Sequence, residues 1–137
     1  MNTYFEVKTQ YEKIGDGKKV TEAYLADALS CTEAEAIITR EIKPFSNGDF
    51  KVSNVRETKI AELFERNIDG KWYACRLNEI SIDEKGNEKK FPVLIYVKAE
   101  DVKDAEAFVM LQLKKSMAEW VVVSVTETKI IDVFIHA

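Results

Sequence analysis

Val55-Arg56-Glu57-Thr58-Lys59-Ile60-Ala61-Glu62-Leu63-Phe64 returns, 70 residues after position 55, as Val125-Thr126-Glu127-Thr128-Lys129-Ile130-Ile131-Asp132-Val133-Phe134. Glu-Thr-Lys-Ile is common to both, followed by an acid, an aliphatic residue and Phe. A recurrence this long is read first as one building block laid down twice, ahead of any single-residue reading.

The chain around these stretches supports that reading. Tyr4 to Ile14 is rich in β-formers, Gly15-Asp16-Gly17 reads as a hairpin turn, and Lys18 to Leu29 is the return strand. Ser30 with Glu33 three residues on opens a helix, whose apolar stripe is Ala34, Ile37, Ile38 and Ile42. Pro44 stops it near Lys43. Ser46-Asn47-Gly48-Asp49 reads as a turn, and Phe50 to Glu65 as one long strand. Asn67-Ile68-Asp69-Gly70 is the joint. The order then repeats: strand Lys71 to Ile82, turn Glu84-Lys85-Gly86-Asn87, strand Lys89 to Lys98, with Pro92 tolerable at an edge. Asp101 with Asp104 opens a second helix striped by Ala105, Phe108, Val109, Gln112 and Leu113. The last strand runs from Glu119 to Ile135.

Two further matches stand 71 residues apart, Ala34-Glu35-Ala36 with Ala105-Glu106-Ala107 and Lys18-Lys19-Val20 with Lys89-Lys90-Phe91. The expectation is an α+β fold of two pseudo-symmetric ββαβ repeats, about 1–66 and 71–137, in a single domain. Two helices pack on a mainly antiparallel sheet. If the two signature strands pair about a twofold through Thr58 and Thr128, Glu57 faces Lys129 and Lys59 faces Glu127. Each such pair favours that register by roughly 0.2 to 1 kcal/mol.

Bulk properties bound the function. The 137 residues are 46% hydrophobic and 32% charged with net charge −4, enough to bury a core without crosslinks. Mild acidity argues against non-specific nucleic-acid binding, which needs an excess of Lys and Arg. Cys31 and Cys75 fit no metal spacing and suggest a reducing compartment. The charged, alternating N-terminus is no signal peptide, and no apolar run approaches a membrane span of about 20 residues. The expectation is a cytoplasmic protein of a bacterial cell.

Catalytic chemistry finds little footing. His136 is the only histidine and sits near a chain end, where fraying is common. No Gly-rich phosphate loop, zinc cluster or nucleophile elbow is present. Cys31 at a helix start has acidic neighbours and reads as a cap neighbour rather than a nucleophile. No catalytic residue, metal ligand or cofactor is assigned. The binding candidates are the twin lysine pairs Lys18-Lys19 and Lys89-Lys90 as anion or nucleotide-phosphate sites, Trp72 and Tyr73 as stacking rings, and Glu57, Lys59, Glu127 and Lys129 as a shared ligand site. Each has a structural alternative: edge protection for the lysines, core packing for the rings, register control for the signature charges.

Val20-Thr21-Glu22-Ala23-Tyr24-Leu25-Ala26-Asp27-Ala28-Leu29-Ser30, running into Thr32-Glu33-Ala34-Glu35-Ala36, resembles a small family of uncharacterised proteins of Bacteroidetes and their phages and mobile elements. Val125-Thr126-Glu127-Thr128 with Asp132-Val133 resembles that family's ending. This chain departs from the pattern around Pro92 to Tyr96 and in its last residues. The resemblance implies a bacterial or phage context and carries no activity. The reading is thus a non-enzymatic binding protein that captures a small anionic, nucleotide-like signal or a host protein, with a homodimer as an option. Its rivals are an assembly protein whose repeats build an interface, and a carboxylate-based, metal-dependent hydrolase.

Overall fold

The computed structural model describes residues 2–15 and 17–135. Asp16 of the expected first turn and His136 lie outside the described residues. Alternation sets the first hairpin. In β1 (Tyr4–Lys13) the side chains of Phe5, Val7 and Tyr11 are buried on one face, and in β2 (Lys19–Asp27) those of Tyr24 and Ala26 join them. Antiparallel register pairs Val7 with Tyr24 and Tyr11 with Val20. α1 (Cys31–Ile42) begins where the sequence predicts, with Ser30 Oγ accepting from the Glu33 N–H at 3.1 Å. Its stripe Ala34, Ile38 and Ile42 is buried against that face. A short 3-10 turn, Lys43–Phe45, carries Pro44 at its start and leads into β3 (Ser46–Glu57).

The expected turn at Ser46–Asp49 is instead the opening of β3. Lys13 pairs with Ser46 and Tyr11 with Phe50, so β3 carries extra residues there. Gly48, at φ 98°, absorbs the irregularity. The Asn-Gly signal marks a bulge, where a positive φ is needed just as it is in a hairpin turn.

The two long strands are each broken in two. β3 stops at Glu57 and β4 (Ile60–Phe64) starts anew; β7 (Glu119–Glu127) stops and β8 (Ile130–Phe134) starts anew. The threonine of Glu-Thr-Lys-Ile causes both breaks. Thr58 N–H and Oγ1 both donate to the Tyr4 carbonyl, at 2.9 and 2.7 Å, and Thr128 does the same to the Trp72 carbonyl, at 2.9 and 2.8 Å. With one residue holding that carbonyl twice, the antiparallel ladder ends. Ile60 and Ile130, both buried, then open the next strands.

Between them lie β5 (Lys71–Ile82), β6 (Glu88–Ala99) and α2 (Val102–Leu113). Asp83 Oδ1 accepts from the Lys85 and Asn87 N–H groups and closes the β5–β6 turn, with Gly86 at φ 83°. Asp101 caps α2 through the Asp104 N–H at 2.7 Å, and Ala105 and Val109 are buried beneath it. Pro92 sits opposite Asn78 on β6, just outside the Leu94–Val97 segment that β4 covers, so its missing N–H costs no ladder bond on that side.

The class is α+β, with two four-stranded, mostly antiparallel sheets: β3-β1-β2-β8 and β4-β6-β5-β7. Each carries one parallel edge pair, β2 with β8 and β6 with β4. The contacts divide the chain into two units that cut across the halves of the sequence. One comprises the residues up to Lys59 and those from Lys129 onward; the other is Ile60–Thr128. The chain passes between them at the two Glu-Thr-Lys-Ile signatures, not at Asn67–Gly70. The expected pairing of Glu57 with Lys129 is therefore overturned. β3, which ends at Glu57, and β8, which follows Lys129, are opposite edges of one sheet, and Glu57 faces Phe5. β4 and β7 are likewise opposite edges, and Glu127 faces Tyr73 instead of Lys59.

Candidate functional site

The face of β1 and β2 that meets α1 is apolar except where Thr9, wholly buried, stands opposite Glu22. In β2 the inward residues run Val20, Glu22, Tyr24, Ala26; the register sets Tyr11 of β1 opposite Val20, one inward position from Glu22, and its side chain reaches diagonally to the Glu22 carboxylate. A carboxylate in that series must be bonded to be stable there. Glu22 is: its Oε1 accepts from Tyr11 Oη and, at 2.9 Å, from Tyr24 Oη, while Oε2 lies 3.5 Å from Lys13 Nζ. The Glu22 side chain is 12% exposed. Burial raises the Tyr24 phenol far above its ordinary value, and the bond to Glu22 adds to the rise. Burial, then Glu22, also raises Tyr11. Both phenols are held as neutral donors.

This cluster forms one wall of a cavity of about 540 Å3. The end of α1 and the 3-10 turn supply Ile42, Pro44 and Phe45, the hairpin supplies Ile14, and β8 supplies Ile131 and Asp132. The rim is braced: Ile14 N–H donates to the Phe45 carbonyl at 3.2 Å and Ser46 Oγ to the Lys43 carbonyl at 2.7 Å. Asp132 Oδ1 accepts from the Val133 N–H. The lining thus sets one ammonium against two carboxylates amid aliphatic and aromatic walls. That volume and mixture suit a small ligand. Within that lining Glu22 is already engaged by three partners, Tyr11, Tyr24 and Lys13.

The candidates read from the sequence fall elsewhere. Lys19 lines a second, polar concavity of about 340 Å3 with Gln10, Glu12, Thr21, Asp49 and Lys51. Lys18 is exposed, its carbonyl accepting from the Lys13 N–H. Lys89 and Lys90 are exposed on β6 opposite Ser81 and Ile80. Trp72 and Tyr73 are 2% and 4% exposed, so neither offers a ring face to solvent. Glu57, Lys59 and Lys129 are exposed, and Glu127 lies 3.6 Å from Lys71 Nζ. Of the ten candidates, Lys19 is one that meets a cavity, and the Tyr11–Glu22–Tyr24 cluster was missed. Its signal was present: one acid in the otherwise apolar inward series of β2, diagonal to a tyrosine placed by the hairpin register. Cys31 is exposed and Cys75 buried, with burial pushing the Cys75 thiol up to about 11. Among the described residues no three His, Cys, Asp or Glu side chains group as metal ligands.

Fold and site together define an α+β protein with a ligand-sized cavity between a sheet and its helix. The chain belongs to the family described as Domain of unknown function (DUF4494), whose model matches residues 3–136. No curated protein and no solved structure matched it.

Proposed function

We propose that this is a non-enzymatic binding protein whose ligand sits in the Tyr11–Glu22–Tyr24 cavity. The carrying observation is a buried carboxylate held by two phenols and an ammonium on the wall of a braced, otherwise largely apolar cavity of about 540 Å3. Glu22 and Asp132 outnumber Lys13 in charge, so the cavity favours a flat body with N–H donors over a phosphate. A nucleoside-like ligand fits that chemistry, with any phosphate left outside. The bacterial or phage setting and the cytoplasmic location are part of this proposal. They rest on the sequence resemblance and the free thiols; among the described residues no helix is long and apolar enough to cross a membrane.

A thermal-shift panel tests the reading, because a ligand that binds only the native state raises its stability. Adenosine and cytidine at millimolar concentration should raise Tm at least as much as their 5′-monophosphates, and Asp132→Asn should remove the effect. A flat panel, or a larger response to the monophosphates, overturns it.

One observation favours the assembly alternative. Val121, Val123 and Ile82 are 47%, 58% and 72% exposed on strands of the β4-β6-β5-β7 sheet. Light scattering across a concentration series tests it: Val121→Asp with Val123→Asp should reduce any oligomer to monomer.

A further inference from the structure

A cavity of about 560 Å3 lies between α1 and β8, an edge strand of its sheet. Ile37, Val133 and Phe134 give it apolar walls, and Glu33, Arg40 and Glu41 bring charge. Arg40 is taken by Glu41 at 3.4 Å. Glu33 has no ion pair among the described residues, so the charge left over is negative. The other sheet shows what such a place holds. Offsets of 70 or 71 residues match Phe134 with Phe64, Glu33 with Asp104 and Ile37 with Phe108. Phe134 and Phe64 also stand at equivalent register positions, opposite Ala26 and Val97. There the chain leaves β4 and lays Arg66 into the matching seat. Its Nη1 donates to Asp104 Oδ2 at 2.8 Å and to the Lys98 carbonyl at 3.4 Å. Its guanidinium carbon lies 4.5 Å from the centre of the Phe108 ring, which meets Phe64 edge-on at 5.5 Å. In the sequence the residue matching Arg66 is His136, which carries no guanidinium.

We infer that the cavity between α1 and β8 seats an arginine side chain of a partner polypeptide, its guanidinium on Glu33 and its stem against Ile37 and Phe134. A guanidinium suits the place because it is weakly hydrated, gives a carboxylate two parallel N–H bonds and lies flat on apolar or aromatic side chains. A lysine ammonium is compact, strongly hydrated and has no flat face. The source is a polypeptide because one half-exposed ion pair is too weak to hold a free small molecule, so neighbouring residues must add contacts along β8. The arginine of the other sheet likewise arrives on a chain segment, two residues past β4. The site is separate from the Glu22 cavity and does not depend on it.

The test is a 1H–15N titration with the blocked peptide acetyl-Gly-Val-Arg-Val-Gly-amide and with its citrulline counterpart, which keeps the shape of arginine without the charge. At millimolar concentration the arginine peptide should shift the Ile37 and Val133 N–H resonances saturably and leave that of Phe108 in place. The citrulline peptide should bind about tenfold more weakly, the loss expected for one charge-assisted hydrogen bond. Glu33→Gln keeps a residue suited to the third helical position and should bring the arginine peptide down to the citrulline level. Glu35→Gln, exposed on α1 and outside the lining, should change nothing. Arg66→Ala should open a second seat, seen as new saturable shifts at Asp104 and Phe108. No saturable shift in the wild-type protein overturns the site. Equal affinity for citrulline, or a Glu33→Gln protein that binds as the wild type does, overturns recognition through the carboxylate. An Arg66→Ala protein without a second seat overturns the equivalence of the two places, and equally tight binding of agmatine, a free guanidinium, overturns the polypeptide as the source.

Discussion

The two sheets share an order of elements and even their irregularities, yet where the cavity of one is walled by Glu22 and Tyr24 that of the other has Val93 and Ile95. β1–β3 and β5–β7 slip register at matching places, Lys8/Thr9 and Arg76/Leu77, and so do β2–β8 and β6–β4, at Ala23/Tyr24 and before Ile95. Beneath the helices, Val7 corresponds to Cys75, Ala34 to Ala105 and Ile38 to Val109, all buried. But where the first sheet has Tyr11, Glu22, Tyr24 and Phe50, the second has Glu79, Val93, Ile95 and Trp120. The difference separates what the scaffold requires from what the cavities add. The shared positions are small or aliphatic and close a core. The divergent ones cluster at the far end of each sheet, around a space the core does not fill.

That comparison can be broken most forcefully in the core. Ile38→Ala should cost about 2–5 kcal/mol and Val109→Ala somewhat less, because fewer buried methyl groups are removed. Urea unfolding of both variants measures it, and a near-neutral result for either would show that the two cores are not equivalent. Glu22→Leu should follow, at about 1–3 kcal/mol, since it leaves two buried phenols without an acceptor. An unchanged Tm would move Glu22 from the structural to the functional side of the comparison. Thr58→Val and Thr128→Val should each cost about 1 kcal/mol, the worth of one hydroxyl bond, and should cost the same. Unequal losses would mean that the two chain crossings do different work.

Titration sharpens the contrast further. The phenols of Tyr11 and Tyr24 are raised by burial, so above about pH 10 the unfolded chain loses protons that the folded chain keeps. Stability should therefore be level through neutral pH and fall as pH rises above 10, and absorbance near 295 nm should show both phenols ionising only as the fold is lost. Tyr24→Phe should lessen that alkaline loss. The smallest effect is expected at Arg66, which bonds Asp104 Oδ2 at 2.8 Å and lies 4.5 Å from the Phe108 ring. The Asp104 carboxyl is lowered by the Glu100 N–H and then by Arg66. Its contribution is present above the ordinary carboxylate value and lost as pH falls through the lowered one. Arg66→Leu should differ from the wild type at neutral pH and converge with it in acid, by a margin small enough to need chemical denaturation to resolve, because both groups are partly solvated.

Much of the architecture was legible because its causes are local. Ser30 and Asp101 cap their helices through side chains three residues from the N–H they serve, and the stripes Ala34–Ile42 and Ala105–Leu113 need only a 3.6-residue period. Gly86 and Asp83 make a turn out of neighbouring atoms. What misled was chemistry with two uses. Gly48 supplies the same positive φ to a bulge as to a turn. Thr58 and Thr128 are good strand residues that end a ladder only because a distant carbonyl, on Tyr4 or Trp72, takes both their donors. The Glu22 cluster needed the hairpin register before an isolated acid could be seen as the partner of two tyrosines.

The sequence by itself determined the order of strands and helices, where the helices begin, and that one signature recurs at two places, but not the strand breaks at Thr58 and Thr128. Those features rest on backbone preference and on side chains that act within a few residues. Only the tertiary structure decided that each signature hands the chain from one sheet to the other. It alone set β8 parallel to β2 and β4 parallel to β6, and it alone opened a cavity at Glu22 and another at Trp120. Pairing between residues a hundred positions apart, such as Tyr24 with Asp132, is selected by the burial of whole faces, which no local stretch of chain encodes.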